Sequence, residues 1–546
     1  MDSVQAALPQ RDEALSRFID QLVDEIRPLH LAHNEAVWRA NTTGEARYAE
    51  EGARLDTEIR TIFSRSEPYQ RLQAMAAAGG VEDALLRRQL TLLINDYRAH
   101  QIPPARIEEM VRLEKGLETR FNSFRATLGE RQVSDNQLRE ILKASDDGAE
   151  RRQAWEAAKQ IGGEVVGDLL KLVGLRNQAA RELGFDNYYS MMLELDELDE
   201  RELFQLLDDL ESGTRPLFER YKRELDGRLA GRFGCRAQDL RPWHYSDPFF
   251  QEAPAADTAI DRYFEGRSLE ALTGSFFGAL GFEIDDLLER SDLYERPGKC
   301  QHAFCLSIDR AADVRVLCNV RSNEYWMGTM LHEFGHAVYD QTIDRDLPYL
   351  LRVPAHILVT EASAMLFGRL SKNAAWLIRY AQAPAGEAQA AAATLSRAAR
   401  AQLLVQTRWC LVMCHMERAL YRDPDQDLAA LWWDLVERFQ GVHRPEGRKG
   451  PDWASKIHFS VAPVYYHNYL LGEMMASQIQ AHLLSDVIGG GEQAWDRYVS
   501  DPAVGAFLRE RLYQIGKTMD WRGAIRAATG RPLEPTAFVD DLTGAA

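Results

Sequence analysis

The chain has 546 residues, of which 45% are hydrophobic and 27% are charged, and its net charge is −18. This composition indicates a globular protein large enough for more than one lobe. The negative charge argues against nucleic acid or an anionic membrane as a partner, and the lack of any window of 18 or more apolar residues predicts no membrane-spanning helix.

The expected location follows from the amino terminus and the cysteines. The sequence becomes charged within its first dozen residues and lacks the apolar core of a signal peptide. Six cysteines in a chain of this length do not form a disulfide framework. Both features predict a cytoplasmic protein, and the sequence leaves its oligomeric state unknown.

Residues 11 to about 230 have the pattern of successive amphipathic helices. One helix follows Pro103 and Pro104, a helix-start signal, and another begins at Ser134, which has the spacing of a capping box with Gln137. We therefore predict a mostly α fold. The chain is expected to be a single unit over residues 1–546, with a mainly helical N-terminal lobe over 1–290 and a second lobe over 291–546.

Beta signals are concentrated in one short region. Two short runs, 302–308 and 314–320, look like strands joined by a turn at 309–313 and predict a small sheet. An exposed edge of this sheet could hold an extended peptide through main-chain hydrogen bonds. A purely structural hairpin explains the pattern equally well.

The strongest chemical signal, HEFGH at residues 332–336, follows this hairpin. On a helix, His332 and His336 are one turn apart on the same face, so both imidazoles can bind one ion. Glu333 is rotated by about 100° from His332 and can act on a water molecule without ligating the metal. This is the HExxH arrangement of zinc peptidases. An ordinary helix with two surface histidines is the alternative.

A catalytic zinc ion needs a third protein ligand and one open position. The metzincin pattern requires Gly and His three and six residues after the second histidine, where this chain has Tyr339 and Thr342. Glu361, 25 residues after His336, lies among alanines and apolar residues, where an unpaired carboxylate would be costly. We predict that His332, His336 and Glu361 hold one zinc ion per chain.

Cys410, Cys414 and His415 could suggest a second metal site, because the two cysteines are one helical turn apart. The residues between the cysteines are Leu411, Val412 and Met413. Apolar neighbours of this kind favour a buried helix in which the cysteines act as small hydrophobic side chains.

Residues 456–469 are dense in hydrogen-bond donors, with one Lys, two His and three Tyr. If a helix begins at Tyr466, Tyr469 shares its face. Peptide hydrolysis on zinc needs donors for the developing oxyanion and for the substrate backbone. We therefore take His458, Tyr466 and Tyr469 as candidate catalytic residues, and an aromatic core helix is the alternative.

Together these motifs resemble the gluzincin zinc metallopeptidases that include angiotensin-converting enzyme and thimet oligopeptidase. Residues 293–303 are similar to the segment before the zinc helix in the thimet group. Residues 346–348, 36–41 and 176–185 are similar to the angiotensin-converting-enzyme side. The likeness touches most of the chain and is most specific from about residue 293 to 475.

The resemblance implies a two-lobed helical metallopeptidase with a deep central channel, a zinc-binding catalytic lobe and a small β-sheet beside the zinc helix. It places the conserved roles on His458 and Tyr469, with Tyr466 beside them. Lys456 matches the lysine that binds the substrate's terminal carboxylate in the angiotensin-converting-enzyme group, so Lys456, His458 and Tyr466 are expected to bind substrate. The glutamine that assists this lysine has no clear counterpart, and Tyr245 stands near its place.

The leading hypothesis is zinc-dependent hydrolysis of peptide bonds in short peptides, with Glu333 as general base. The Lys456 match favours a dipeptidyl carboxypeptidase (peptidyl-dipeptidase), and the missing glutamine keeps an oligopeptidase open. Two further alternatives are a zinc hydrolase dedicated to one modified peptide or amide in a biosynthetic pathway and a non-hydrolytic peptide-binding protein. The expected partner is a short peptide.

Overall fold

The computed structural model describes residues 8–254 and 260–544, and its regular structure is mostly helical, as predicted. The α-helices in chain order are α1 (Leu8–Thr43), α2 (Ala46–Phe63), α3 (Ser66–Ala78), α4 (Ala84–Ala99), α5 (Pro104–Ser123), α6 (Asp135–Ala144), α7 (Gly148–Ala158), α8 (Gln160–Glu182), α9 (Tyr188–Leu195), α10 (Glu200–Phe233), α11 (Leu269–Ala279), α12 (Asp285–Arg290), α13 (Glu324–Thr342), α14 (Ile357–Gly368), α15 (Ala374–Arg379), α16 (Ala385–Arg422), α17 (Leu428–Gln440), α18 (His458–Val461), α19 (His467–His482), α20 (Ala494–Tyr498), α21 (Pro502–Leu508), α22 (Trp521–Thr529) and α23 (Thr536–Thr543).

The strands form two antiparallel hairpins. The strands are β1 (Ala126–Leu128), β2 (Arg131–Val133), β3 (Phe304–Ser307) and β4 (Val314–Leu317). In the second hairpin Phe304 lies opposite Leu317 and Ser307 lies opposite Val314. This hairpin lies within the two predicted runs and packs against α13, so the small sheet beside the HEFGH helix is confirmed.

Local sequence signals explain several helix starts. Pro104 is the first residue of α5, where its missing N–H has no intrahelical acceptor to lose. Ser134 and Gln137 form the predicted capping box at the start of α6. Asn323 caps α13 by accepting a hydrogen bond from the backbone N–H of Trp326 at 3.0 Å. The helix that carries HEFGH therefore begins at a fixed point.

The described residues form two compact units, each assembled from separate segments. Unit 1 comprises residues 8–101, 260–396 and 471–538, and unit 2 comprises residues 102–254, 397–470 and 539–544. The sequence predicted two continuous lobes divided at residue 290, whereas each unit contains segments from both sides of that residue. Apolar periodicity indicates which face of a helix is buried but not which distant segment covers it.

The cores of the two units are helical. In unit 1, α1 to α4 share a buried apolar cluster that includes Leu15, Ile26 and Leu93. Elsewhere in this unit α14 packs closely along α13, which buries Leu331 and Phe334 completely. In unit 2, α8 packs against α5, α7 and the short helix α18.

Two expectations about membranes and targeting concern the chain as a whole. Within residues 8–254 and 260–544, no helix is long and apolar enough to cross a membrane. Residues 1–7, on which the expected lack of a signal peptide partly rests, lie outside the described residues.

Candidate active site

Two glycines allow α13 and α14 to approach closely. A Cβ atom on Gly335, inside the HEFGH motif, would lie 2.8 Å from Cα of Ala364 and 3.0 Å from a ring carbon of Phe367. A Cβ on Gly368 would lie 3.1 Å from Cβ of His332. Contacts below 3.4 Å are tighter than side chains normally tolerate. The backbones of the two helices therefore meet at these positions, which brings Glu361 on α14 near the histidines of α13.

The three predicted metal ligands converge in unit 1. Oε2 of Glu361 lies 3.8 Å from Nε2 of His332 and 4.0 Å from Nε2 of His336, and the ligand atoms of all three residues are within 4.8 Å of one another. Ligand atoms about 2.1 Å from a tetrahedral ion are roughly 3.4 Å apart. Small side-chain adjustments would thus fit one ion. Among the described residues, this is the group of three or more His, Cys, Asp or Glu side chains that could hold a metal ion.

The protonation states suit a zinc ion. Burial lowers the pKa of His332 to about 4, and burial together with His332 lowers the pKa of His336 to about 3. Both imidazoles are therefore neutral at pH 7 and offer a lone pair. Burial and the nearby Glu473 raise the pKa of Glu361 to about 7, and a bound cation would favour its ionised form. Two neutral imidazoles and one carboxylate form a donor set that zinc prefers.

A hydroxyl beside the motif orients one of these histidines. Nδ1 of His336 lies 2.7 Å from Oγ1 of Thr360, the residue before Glu361. When Nδ1 carries the proton it donates to this hydroxyl and leaves Nε2, which faces Glu361, free to bind a metal. Such contacts fix the tautomer and ring orientation of metal-binding histidines. The sequence analysis missed Thr360, since its role depends on the approach of α14 to α13.

Glu333 faces a cavity beside the predicted ligands. Its side chain is 8% exposed, and burial together with Glu361 raises its pKa to about 8. The cavity has a volume of about 490 Å³. Its walls come from the residues before β3, the first turns of α13, the end of α14 and the 3-10 turn after it: Gln301, His302, Ala303, Glu324, Tyr325, Trp326, Gly328, Thr329, His332, Glu333, Gly368 and Lys372. A carboxyl group that titrates near neutral pH in such a cavity can accept and return a proton.

The remaining predicted catalytic residues lie in unit 2. The ring centroids of His458 and Tyr466 are 4.9 Å apart, and those of Tyr466 and Tyr469 are 5.6 Å apart. Burial and Lys456 lower the pKa of His458 to about 4, and burial raises the pKa of Tyr466 far above its ordinary value. The imidazole is thus neutral and the phenol protonated at pH 7, so both can donate hydrogen bonds. The helix α19 begins at His467, one residue after the predicted start.

Lys456 contacts a glutamine that the sequence analysis did not identify. Its Nζ donates to Oε1 of Gln251 at 2.8 Å and lies 5.2 Å from the ring centres of Phe249 and Trp409. Burial lowers the pKa of Lys456 to about 8. The hydroxyl of Tyr245 instead donates to Oδ1 of Asp226 at 3.0 Å. A glutamine therefore does lie beside Lys456, six residues after Tyr245 along the chain, and no motif in the sequence marks it.

Cys410 and Cys414 do not extend the metal-binding chemistry. Both lie in α16 and are 1% and 2% exposed, and burial raises the pKa of Cys414 well above its ordinary value. The interpretation of this segment as a buried helix is confirmed.

Two family models match successive parts of the chain. Residues 9–239 match the family described as Angiotensin-converting enzyme, and residues 289–543 match Peptidase family M3. A search of curated proteins finds no match. Both matched families are gluzincin metallopeptidases, so the resemblance to the group of angiotensin-converting enzyme and thimet oligopeptidase is confirmed. The second match contains HEFGH, Glu361 and the segment 456–469.

Proposed function

We propose that this chain, two parts of which match gluzincin metallopeptidase families, hydrolyses short peptides with the help of one zinc ion. The observation that carries the proposal is the convergence of His332, His336 and Glu361 beside Glu333, which faces a cavity. The non-hydrolytic alternative would give no reason for a buried carboxyl group to adjoin the ligand set, because such a group is costly to bury.

The three converging side chains would hold the ion: both imidazoles are neutral at pH 7, and the cation would favour the ionised form of Glu361. When bound, zinc would serve as a Lewis acid and lower the pKa of a water molecule toward about 7. The Nδ1 contact of His336 with Thr360 keeps the other nitrogen of that ring available for the ion.

Glu333 is the proposed general base and acid. It takes a proton from the attacking water and delivers it to the amine that leaves when the peptide bond breaks. Its position one residue after His332 turns it away from the ligand direction. Burial and Glu361 raise its pKa in the metal-free protein, and a zinc ion beside it would favour the carboxylate form that accepts the proton.

Three side chains of unit 2 are proposed as hydrogen-bond donors to the peptide substrate. We assign stabilisation of the oxyanion to Tyr469, helped by Tyr466 and His458, on the strength of the family resemblance. The protonated phenol and neutral imidazole support this assignment because each offers one hydrogen to donate. These residues lie within one cluster of rings in unit 2.

The groups that bind the substrate's backbone and its terminal carboxylate decide which peptide bond is cut. Residues 301–303, which line the cavity just before β3, offer main-chain groups to an extended peptide. Lys456 and Gln251 offer a cation and an amide to a free terminal carboxylate. We propose on this basis that the enzyme removes dipeptides from the carboxyl terminus.

Mass spectrometry of a mixed peptide library incubated with the zinc-loaded protein tests this function, with chelator-treated protein as the control. Serial loss of carboxyl-terminal dipeptides from free-acid peptides is the expected result. Internal cuts would replace the dipeptidyl-carboxypeptidase assignment with that of an oligopeptidase. No cleavage by protein that holds one zinc ion per chain would contradict the proposed activity.

We also propose a cytoplasmic location. All six cysteines are free thiols in the structure, which is usual in a reducing compartment. Cell fractionation of the source organism tests this, and recovery of the protein outside the cytoplasm would contradict it.

A further inference from the structure

A buried arginine, the first residue of the segment 176–185 noted above, has no role assigned so far and holds the segment that carries His458. Arg176 on α8 is 2% exposed, and its guanidinium donates to the backbone carbonyl of Phe459 at 3.1 Å and to that of Ser460 at 2.7 Å. Both carbonyls belong to α18, a single turn that begins at His458. Carbonyls at the end of a helix lack intrahelical donors and need other partners. Arg176 supplies those partners.

The guanidinium is itself fixed from two further directions. It donates to Oε1 of Glu114 at 2.8 Å and to the hydroxyl of Tyr421 at 2.9 Å. The planar fork of arginine can serve several acceptors in one fixed arrangement, whereas the single ammonium of lysine cannot. Arg176 therefore ties α18 to α5 and α16 through one rigid group.

A buried glutamate holds the same segment a few residues further along. Glu417 on α16 is 3% exposed, and its Oε1 accepts a hydrogen bond from the backbone N–H of Val464 at 2.9 Å. Val464 has a φ of +56°, a left-handed conformation that a β-branched residue rarely adopts. Such a conformation persists only where the surroundings enforce it. Glu417 thereby fixes the turn that leads from α18 to Tyr466.

We propose that Arg176 and Glu417 are positioning residues for the peptidase reaction. They fix the backbone at two points between His458 and Tyr466, whose rings lie 4.9 Å apart. Neither side chain is assigned a contact with substrate. The inference rests on the proposed function, since it assumes that His458 and the tyrosines act on the peptide.

Two substitutions test the proposal through kinetics. Arg176→Lys offers three N–H groups on one nitrogen to four acceptors, so the fork that spans both carbonyls of α18 is lost. Glu417→Leu removes the acceptor of the Val464 N–H. We expect each to lower kcat by about tenfold or more with KM and zinc content changed less than about twofold, because a displacement of about 1 Å costs reaction rate steeply. Glu417→Gln keeps an oxygen acceptor for the Val464 N–H, and we expect it to retain kcat within about threefold.

Arg408→Lys is the matched control for the loss of a buried arginine. Arg408 is 1% exposed, lies on α16 and donates to Glu211 and Thr214, which are far along the chain from the segment under test. We expect this variant to lose stability without a comparable loss of kcat. A general effect of destabilisation on activity would appear in both arginine variants.

Hydrogen exchange measured by mass spectrometry provides a readout that does not depend on activity. We expect faster exchange in peptides covering residues 457–466 in Arg176→Lys and Glu417→Leu, with no change over residues 324–368 and none in either region in Arg408→Lys. Unchanged exchange over residues 457–466 overturns the proposal, as does faster exchange with unaltered kcat. If the wild type holds zinc but cleaves nothing, the proposed function fails, and the exchange data alone decide whether the two residues hold the segment.

Discussion

The hydroxyl of Thr360 contacts the ring nitrogen of His336 that points away from Glu361. We expect Thr360→Val to weaken zinc binding by about 10- to 100-fold, because the ring then loses the partner that fixes its tautomer. Competition with a chromogenic chelator measures this affinity without any peptide substrate. Thr360→Ser, which keeps a hydroxyl, is the control and should bind zinc nearly as tightly as the wild type. Equal affinity in the valine variant would exclude this role.

Burial of Lys456 predicts a pH dependence of substrate binding. Burial disfavours its charged form and lowers its pKa from 10.5 to about 8, so the ammonium is present below about pH 8 and is lost above it. We expect KM to rise above pH 8 for N-acetylated peptides with a free carboxyl terminus and to stay level for their carboxyl-terminal amides. Lys456→Arg keeps its charge at higher pH and should remove the rise. A parallel rise for both kinds of peptide would contradict the assignment.

Residue spacing predicted the convergence of the candidate metal ligands and missed two other contacts for a physical reason. The i, i+4 spacing of His332 and His336 places both on one helix face, and the structure brings them to Glu361. Gln251 and Thr360 could not be inferred in this way. Each acts through one contact that exists only after distant segments have packed, and their local sequence carries no spacing rule.

The approach of α14 to α13 depends on the glycine inside the HEFGH motif. We expect Gly335→Ala to destabilise the metal-free protein by about 1–3 kcal/mol, because the added Cβ would meet the backbone of Ala364 at 2.8 Å. Zinc affinity should fall with it, since Glu361 lies on the displaced helix. Urea unfolding and chelator competition measure the two effects.

Gly163→Ala is the control for this helix-packing prediction. Gly163 lies inside α8 and is exposed, and a Cβ atom added to it would meet no neighbouring residue within 4 Å. Alanine should therefore leave stability unchanged or raise it by up to about 1 kcal/mol. A Gly335→Ala protein as stable as the Gly163→Ala protein would show that the two helices do not need this close contact.

Element boundaries were predictable where local chemistry sets them. The capping box at Ser134 and the hairpin before α13 follow from neighbouring residues and appear in the structure. The start of α19 was placed one residue early, at Tyr466 instead of His467. The left-handed turn at Val464, which Glu417 holds from another helix, precedes that start and is not marked by glycine or asparagine in the sequence.

At the scale of the whole molecule, the mostly α character was predictable from periodicity and the division into units was not. Each unit gathers segments from both sides of residue 290, and the two family matches, residues 9–239 and 289–543, each extend over parts of both units. The burial of a helix face is local information, whereas its partner is chosen by long-range packing.

The most direct test of the account is the turnover of Glu333→Ala loaded with zinc, measured on the peptides that the wild type cleaves. We expect one zinc ion per chain in both proteins and a loss of kcat of at least about 100-fold in the variant, because the ligands remain while the general base is absent. Turnover close to that of the wild type in the zinc-loaded variant would contradict the assignment of Glu333 and with it the proposed mechanism.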